Sequence, residues 1–354
     1  MDKAIMWVMA CGALLGGIDR ILGNRLGLGK KFEEGFQLLG PTALSMAGIL
    51  CLVPLLTKLL GGPVSSLCKP FGIDPGMLGG LLAVDMGGYQ LACDLAIDPR
   101  VGNFAGIAVA AILGCTVTFT IPIGMGMLRP DERVDFARGI LFGLIAIPAA
   151  LVVAGFCCGM GFFTTLHQSL PVLILSALVL LGIWKKTEQM IRGFSVVARA
   201  ISVLTTIGLM LGAFEYMTGT AILPGLAPIG EAMGIVASIG VVMLGSLPVT
   251  ELLQRILHRP LAWLGKKTGM NNTSVAGLLI GMVSVLPAIA LIKDMDRRGR
   301  IVNAAFMVCA ASALAAQLGF VAGVDASLLP VLLASKFAGG ICGVLIALFA
   351  TRKA

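Results

Sequence analysis

Residues 81–100 read LLAVDMGGYQLACDLAIDPR and interrupt an otherwise apolar run. Asp85 stands inside that run, and Gly87 and Gly88 follow it after one methionine. A carboxylate at the centre of a bilayer costs about 2.5–3.5 kcal/mol on insertion scales, and glycine loosens a helix because its backbone has more freedom. The stretch therefore predicts an interrupted membrane helix with a polar group at the interruption.

The composition of the whole chain is that of a membrane protein. Its 354 residues are 58% apolar and 12% charged, whereas soluble domains carry about 25% charged residues. Lys and Arg outnumber the acids by 26 to 18, but they lie in short clusters between apolar runs, as the positive-inside rule predicts. Nucleic-acid binding is therefore not expected.

The nine Cys and two His show neither metal-ligand spacing nor a disulfide pattern, so we expect no metal and no cofactor.

About eleven segments are apolar enough to enter a bilayer, since one crossing takes about 20 residues. Two further tracts, 61–74 and 258–271, mix Pro, Lys and apolar residues and are expected at the membrane interface. The apolar segments are 4–22, 36–60, 75–97, 101–128, 138–163, 169–184, 194–218, 231–257, 272–293, 301–323 and 328–350.

The positions of the basic loops are inconsistent with a topology in which all eleven segments cross the membrane. Basic residues cluster at 255–267 and again at 293–300, and two consecutive basic loops should not lie on opposite faces of a membrane. The conflict disappears if segment 272–293 enters and leaves on one side as a re-entrant hairpin. Gly281 and Pro287 can break a helix inside that segment.

An internal repeat supports this topology. The stretch PVSSLCKPFGIDPGMLGGLL, which begins at Pro63, aligns without a gap with PLAWLGKKTGMNNTSVAGLL, which begins at Pro260. We predict two structural repeats, 1–163 and 194–354, joined by a linker with one span at 164–193.

The alignment pairs segment 75–97 with segment 272–293, so 75–97 should also be a re-entrant hairpin with Asp85 at or near its tip. The two hairpins would enter from opposite sides, which makes the repeats inverted. We therefore expect an all-α polytopic membrane protein with about nine full crossings and two re-entrant helical hairpins, a plan found in secondary transporters.

The interrupted segment has the chemistry of a small-cation site. A carboxylate at Asp85 and unwound carbonyls at Gly87 and Gly88 would bind a cation near the midplane. Tyr89 and Gln90 would add a hydroxyl, an aromatic face and an amide. In the alternative interpretation, Asp85 caps a helix of the hairpin or pairs with a Lys or Arg of the bundle.

The second half of the chain offers two more candidates. Ser284 is the counterpart of Gly87 in the repeat and is expected to face the same cavity. Gln317 follows the second hairpin, although a polar group within a span more often forms a hydrogen bond between helices. The predicted substrate-binding residues are Asp85, Gly87, Gly88, Tyr89, Gln90, Ser284 and Gln317.

Five motifs resemble the ethanolamine permease family of bacterial ethanolamine-utilisation operons. They are IDRILG (18–23), FEEGF (32–36), AVDMGGYQLA (83–92), TIPIGMGMLRPDER (120–133) and MDRRGRIVNAAF (295–306). The resemblance implies a multi-pass protein of the bacterial inner membrane that takes up ethanolamine, a small ammonium with a hydroxyl. It also implies that Asp85 pairs with the ammonium and that Tyr89 or Gln90 holds the hydroxyl.

The resemblance departs from the family at one point. An acid–His pair often precedes Leu-Gly-Phe in the second half of the family, where this chain has Ala316 and Gln317. If that pair moves protons elsewhere, this chain lacks it. Proton coupling, sodium coupling and facilitated diffusion therefore all stay open.

Two other functions are compatible with the residues. One is a membrane scaffold or sensor subunit, in which the buried acid only holds helices together. The other, less favoured, is a membrane-embedded enzyme, which the lack of a recognisable acid–His constellation argues against. The expected partners are ethanolamine and membrane lipids, with a homo-oligomer left open.

Overall fold

The fold is helical throughout the part of the chain that the structure describes. This computed structural model describes residues 2–82 and 87–352, which form sixteen α-helices and no strand. Asp85 lies outside the described residues. The helices are α1 Asp2–Ile21, α2 Leu28–Gln37, α3 Leu39–Cys68, α4 Pro75–Leu82, α5 Gly88–Leu95, α6 Pro99–Asn103, α7 Ile121–Met127, α8 Pro130–Cys157, α9 Phe162–Gln168, α10 Leu170–Thr218, α11 Ile229–Thr268, α12 Asn272–Val283, α13 Val285–Ala290, α14 Arg297–Ala310, α15 Ala316–Asp325 and α16 Leu329–Ala350.

Eight helical segments within the described ranges are long and apolar enough to cross a membrane. The prediction of an all-α polytopic membrane protein is therefore confirmed, while the count of about nine crossings and the re-entrant hairpins stay predictions. The eight segments are Lys3–Ile21, Leu28–Phe71, Pro99–Met127, Pro130–Cys157, Leu170–Met190, Arg192–Thr218, Ile229–Leu257 and Ala316–Ala350.

The two tracts expected at the interface begin as continuations of long helices. Helix α3 runs on to Cys68 and includes Pro63, and α11 runs on to Thr268 and includes Pro260. A proline inside a membrane helix removes one backbone hydrogen bond without ending the helix when its neighbours satisfy the freed carbonyl. Proline was therefore a poor guide to where these helices end.

The segment expected as one span at 301–323 is two helices with an unwound stretch between them. Helix α14 ends at Ala310 and α15 begins at Ala316. Between them Ser312 has a positive φ of 55°. The 14 residues of α14 rise about 21 Å at 1.5 Å each, which is short of the roughly 30 Å hydrocarbon layer. Helix α14 is therefore too short to cross that layer by itself.

The predicted span at 101–128 is continuous but unusually wound. Residues Phe104–Gly114 and Thr116–Thr120 form π-helical turns between α6 and α7. A π-turn closes its hydrogen bonds over five residues rather than four and is frequent at functional sites. The residues of the longer π segment, Phe104–Gly114, are all buried.

Helices α4 and α5 form a pair whose outer ends are held together by Asp74. One carboxylate oxygen of Asp74 accepts the backbone N–H of Gly76 at 2.8 Å, at the start of α4. The other oxygen accepts the N–H of Asp98 at 2.8 Å and that of Ile97 at 3.0 Å, just after α5. The chain therefore returns to the point where the pair began, as a hairpin requires.

Helices α12 and α13 form a second pair, which Asp296 closes. Asp296 accepts the backbone N–H of Asn271 at 2.9 Å and the hydroxyl of Ser274 at 2.6 Å. Asn271 caps α12 by accepting the N–H of Ser274 at 2.8 Å, as an N-cap residue does. At the other end of the pair, Ser284 has extended backbone between the two helices, with φ −152° and ψ 135°.

The same order of elements occurs twice along the chain. A long helix is followed by a pair of short helices and then by a helix with an aspartate N-cap, first in α3 to α6 and again in α11 to α14. In each case an asparagine of the capped helix contacts the preceding pair: Asn103 accepts the Tyr89 hydroxyl at 3.3 Å, and Asn303 donates to the Ser274 carbonyl at 2.7 Å. This is the arrangement that a repeat would produce, and the division at 164–193 stays a prediction.

Helices α3 and α10 cross in direct backbone contact. A Cβ on Gly48 would meet the carbonyl of Thr205, and one on Gly208 would meet the carbonyl of Gly48. Small residues allow such approaches and are typical of helix crossings in membranes. The largest buried cluster lies elsewhere, between the π segment, α8, α14 and α16, with Phe104 and Phe136 fully buried.

Candidate functional site

The candidate site is centred on the carbonyl oxygen of Ala111. This oxygen accepts the side-chain amide of Gln317 at 3.2 Å and the ammonium of Lys336 at 3.0 Å. Gln317 lies in the first turns of α15 and Lys336 in α16, whereas Ala111 belongs to the π segment. Three elements thus direct polar groups to one point in an otherwise apolar core.

Gln317 brings an unused acceptor to this point. Its side chain is 2% exposed, and its Oε1 atom has no hydrogen-bond partner among the described residues. A buried amide oxygen without a partner costs about 1–3 kcal/mol, so its retention needs a reason. A ligand with an N–H or O–H group would satisfy it.

The shorter π-helical piece, Thr116–Thr120, contacts the broken end of α14. The hydroxyl of Thr116 donates to the carbonyl of Val308 at 2.8 Å, the interhelical hydrogen bond expected of a polar group within a span. Val308 lies in the last turn of α14. This hydrogen bond anchors the start of the unwound stretch 311–315 to the span that also contains Ala111.

The unwound stretch is joined to the second helix pair by its backbone. The N–H of Ser312 donates to the carbonyl of Gly281 at 2.9 Å, and the N–H of Leu314 donates to the carbonyl of Met282 at 2.9 Å. These carbonyls lie in the last turn of α12, where a helix leaves its carbonyls without internal partners. Ser284, the predicted site residue, follows immediately and is half-buried.

Tyr89 connects the first helix pair to the same region. Its ring stands edge-on to that of Phe320, with the centroids 6.1 Å apart. Phe320 lies one turn after Gln317 on the same face of α15, since residues three apart are neighbours on a helix. On its other side, α5 packs closely against the π segment at Gly106, because a Cβ on Gly106 would meet the Tyr89 backbone.

The other residues predicted from the first pair are divided between two environments. Gly87 and Gly88 are buried at the start of α5. Gln90 is exposed, and its amide donates to Asp94 at 2.8 Å. Because Tyr89 and Gln90 are consecutive in a helix, their side chains point in directions about 100° apart. The predicted residue Asp85 is not among those that the structure describes.

Lys336 is a functional candidate that the sequence argument missed. It is the sole charged residue in Leu329–Ala350, an apolar run of 22 residues. Applied to this run, the rule that drew attention to Asp85 would have found it, because a charge within a span marks a functional position by default. Asp74 was missed for another reason: its role is visible only once the ends of the first pair meet.

The outer end of the second pair carries a charged network. Arg297 donates to Asp135 of α8 at 3.2 Å, and Arg300 lies 3.7 Å from Asp131. Burial acts to raise the pKa of Asp296, but the hydrogen bonds from Ser274 and from backbone N–H groups prevail and lower it below its ordinary value.

The described residues contain no group of His, Cys, Asp and Glu arranged to hold a metal ion.

Comparison with known proteins gives one family over nearly the full length. Residues 1–350 match the family model described as "Ethanolamine utilisation protein, EutH". No solved structure matches the chain.

Several curated relatives cover all or nearly all of the chain. A protein of Listeria monocytogenes named "Probable ethanolamine permease EutH" is 37% identical over 100% of this chain and 95% of its own length. A protein of Salmonella typhimurium with the same name is 33% identical over 100% of this chain and 96% of its own length. The Bacillus subtilis protein "Uncharacterized protein YxeR" is 35% identical over 96% of this chain and 92% of its own length. The chain therefore belongs to the EutH family of ethanolamine utilisation proteins.

Proposed function

We propose that this protein carries ethanolamine across the bacterial inner membrane through a site at membrane depth, formed where the two helix pairs approach the Ala111 carbonyl. The observation that carries the proposal is a buried polar group at this point, the Oε1 of Gln317, which has no hydrogen-bond partner among the described residues. It lies within helices apolar enough to span a bilayer. The relatives named as probable ethanolamine permeases support the choice of substrate.

The chemistry of ethanolamine matches the groups available. Its ammonium has three N–H donors and a positive charge, which call for a carboxylate and for carbonyl oxygens. We propose that Asp85 supplies the carboxylate. Gly87 and Gly88 lie at the start of α5, where their carbonyls accept the first hydrogen bonds within the helix. The hydroxyl of ethanolamine would donate to Gln317 Oε1.

The remaining candidates define the walls of the site. Tyr89 would place its ring beside the short carbon chain of the substrate, since it already packs against Phe320. Ser284 would approach from the tip of the second pair. Gln90 is exposed and its amide donates to Asp94, so it would contact the substrate only before the substrate reaches the buried site.

We also propose that the two helix pairs are re-entrant and enter from opposite faces, within inverted repeats 1–163 and 194–354. The closing aspartates, Asp74 and Asp296, support the re-entrant arrangement because each holds the two ends of its pair together. Single cysteines placed at Ile97 and Lys293, in a variant without its native cysteines, should react with a membrane-impermeant maleimide from opposite sides. Reaction from the same side would contradict the inverted arrangement.

Counterflow of labelled ethanolamine into proteoliposomes tests the transport proposal. Wild-type protein should exchange internal for external ethanolamine, and Asp85→Asn should remove this exchange at acidic pH, where the substrate is almost entirely ammonium. Glu231→Gln is the matched control, since it makes the same chemical change at an exposed position at the start of α11 and should leave exchange intact.

The same assay separates the competing functions. A scaffold or sensor would give no counterflow with any amine. An enzyme would release a chemically altered product in detergent without any gradient. Exchange that survives unchanged in Asp85→Asn would refute the role given to that carboxylate and leave transport itself standing.

A further inference from the structure

An open cleft between α8 and α10 shares no lining residue with the candidate site. Its volume is about 450 Å³, and it is lined by apolar residues together with Arg133, Arg138 and Glu188. Helix α10 bends beside the cleft at Lys186, whose φ of −144° and ψ of 54° are not helical. The cleft thus combines an apolar lining with charged side chains of both signs.

The cleft lies at the level where both helices meet the edge of the hydrocarbon layer. Arg138 is the last charged residue of α8, and residues 139–157 after it rise about 28 Å at 1.5 Å each, close to the thickness of that layer. In α10, residues 170–184 are likewise uncharged, and Lys185 follows them. Trp184, which lines the cleft, is of a residue type enriched at membrane–water interfaces. In a membrane, the cleft therefore lies at the depth of the lipid headgroups.

The apolar part of the cleft extends from this level into the membrane. The uncharged run follows Arg138 in α8 and precedes Lys185 in α10, so the two helices cross the boundary in opposite directions. Leu141 lies about one turn after Arg138, and Ile183 lies just before Trp184. Both apolar residues are therefore on the hydrocarbon side of the charged ones, where an acyl chain would lie.

The charged side chains of the cleft do not neutralise one another. Within the described ranges, Arg133, Arg138 and Glu188 form no ion pair. The Nε of Arg133 donates to the carbonyl of Leu128 at 2.8 Å, which orients the guanidinium and leaves its terminal N–H groups for a ligand. The cleft therefore offers two guanidinium groups and one carboxylate to a molecule of complementary charge.

We propose that this cleft binds a phospholipid whose headgroup carries both a phosphate and a primary ammonium, as in phosphatidylethanolamine. Arg133 and Arg138 bind the phosphate, because the planar guanidinium donates two hydrogen bonds to such a group. Glu188 accepts from the ammonium, and an acyl chain lies along the apolar lining. Basic pockets between membrane helices bind lipid headgroups in the same way. The inference does not depend on the proposed transport function.

Native mass spectrometry of the full chain, purified without lipid and titrated with phosphatidylethanolamine, tests the assignment to the phosphate. Arg138→Gln should weaken binding about tenfold, as expected for the loss of a hydrogen bond to a charged group. Arg25→Gln removes an exposed arginine outside the cleft and should bind the lipid like wild type. Equal binding by wild type and Arg138→Gln would overturn the proposal.

The choice of lipid tests the assignment of Glu188. Wild type should prefer phosphatidylethanolamine to phosphatidylcholine, because the quaternary ammonium of the latter has no N–H to donate. Glu188→Gln should lose that preference and keep its affinity for the anionic phosphatidylglycerol. Glu231→Gln makes the same change at an exposed position outside the cleft and should keep the preference. A wild-type protein that binds all three lipids equally would contradict recognition of the headgroup.

A soluble competitor separates a lipid from a free phosphate ester. Glycerophosphoethanolamine has the same headgroup without acyl chains, so at equal concentration it should leave the bound lipid in place. Displacement would show that the apolar lining contributes nothing and would overturn the assignment to a lipid. Because Arg138 and Glu188 are exposed, both variants should melt within a few degrees of wild type in detergent, and phosphatidylethanolamine should raise the melting temperature of wild type more than that of Arg138→Gln.

Discussion

Lys336 and Gln317, from two different helices, donate to a single acceptor, the carbonyl oxygen of Ala111, at 3.0 and 3.2 Å. A backbone carbonyl can accept two donors, but in an ordinary α-helix one acceptor position is used by the helix itself. The π-helical winding around Ala111 alters that internal pattern. A carbonyl of one element is thus the common acceptor for side chains of two others.

The first prediction concerns recognition of the substrate hydroxyl. Gln317→Leu removes the amide oxygen proposed to accept it, so the preference for ethanolamine over ethylamine should fall by about tenfold, since a buried hydrogen bond is worth about 1–3 kcal/mol when one partner is left unsatisfied. Competition by each amine against labelled ethanolamine in counterflow measures the preference. Gln37→Leu, an exposed amide at the end of α2, is the control. An unaltered preference in Gln317→Leu would assign the hydroxyl to another group.

The second prediction concerns the closure of the second helix pair and its dependence on pH. The pKa of Asp296 is lowered in the folded protein. Its stabilising contribution is therefore fully present above the ordinary value near pH 4 and is lost as pH falls through the lower folded value. Asp296→Asn should lower the melting temperature at pH 7, and the gap to wild type should narrow as the pH falls below about 4.

Thermal unfolding of the purified protein in detergent between pH 7 and pH 3 measures this effect. Glu231→Gln changes an exposed carboxylate and should melt like wild type across the series. A gap that stays constant with pH would show that Asp296 acts through the shape of its side chain rather than through its charge.

The third prediction concerns the crossing of α3 and α10. Gly48→Leu places a side chain where the Thr205 carbonyl stands, and such overpacking costs about 1–3 kcal/mol or more when backbone must move. The variant should lose most of its monodisperse peak in size-exclusion chromatography. Gly40→Leu changes the same helix at a position with no atom nearby and should behave like wild type. Equal behaviour of the two variants would mean that the crossing tolerates separation.

The fourth prediction concerns the connection between α12 and the unwound stretch. Leu314→Pro removes the N–H that donates to Met282 and leaves a carbonyl without its partner, at a cost of about 1–3 kcal/mol. Ethanolamine exchange should be lost. Leu314→Ala keeps the N–H and should retain exchange, apart from a small loss of packing. Exchange in the proline variant equal to that of the alanine variant would show that this hydrogen bond is dispensable.

The long helices could be predicted from the sequence because each needs only a sufficiently apolar run. Segments 4–22, 231–257 and 328–350 fall on α1, α11 and α16 with ends shifted by a few residues, apart from the extension of α11. The bilayer requires backbone groups to pair within the segment, so hydropathy alone determines such elements.

The break at 311–315 could not be predicted from local sequence. Residues 310–316 read AASALAA, and alanine has the highest helix propensity. The stretch is unwound because the carbonyls of Gly281 and Met282 supply alternative partners for its N–H groups. Those partners are distant in sequence, and only the packing of α12 brings them within reach.

The connection between α12 and the unwound stretch has a consequence for how this region tolerates change. Its two hydrogen bonds join peptide groups, at Ser312 with Gly281 and at Leu314 with Met282. Apart from proline, any amino acid at these four places still presents the same amide and carbonyl. The side chains at these four places can therefore change in the course of evolution while the two hydrogen bonds that join α12 to the unwound stretch are kept.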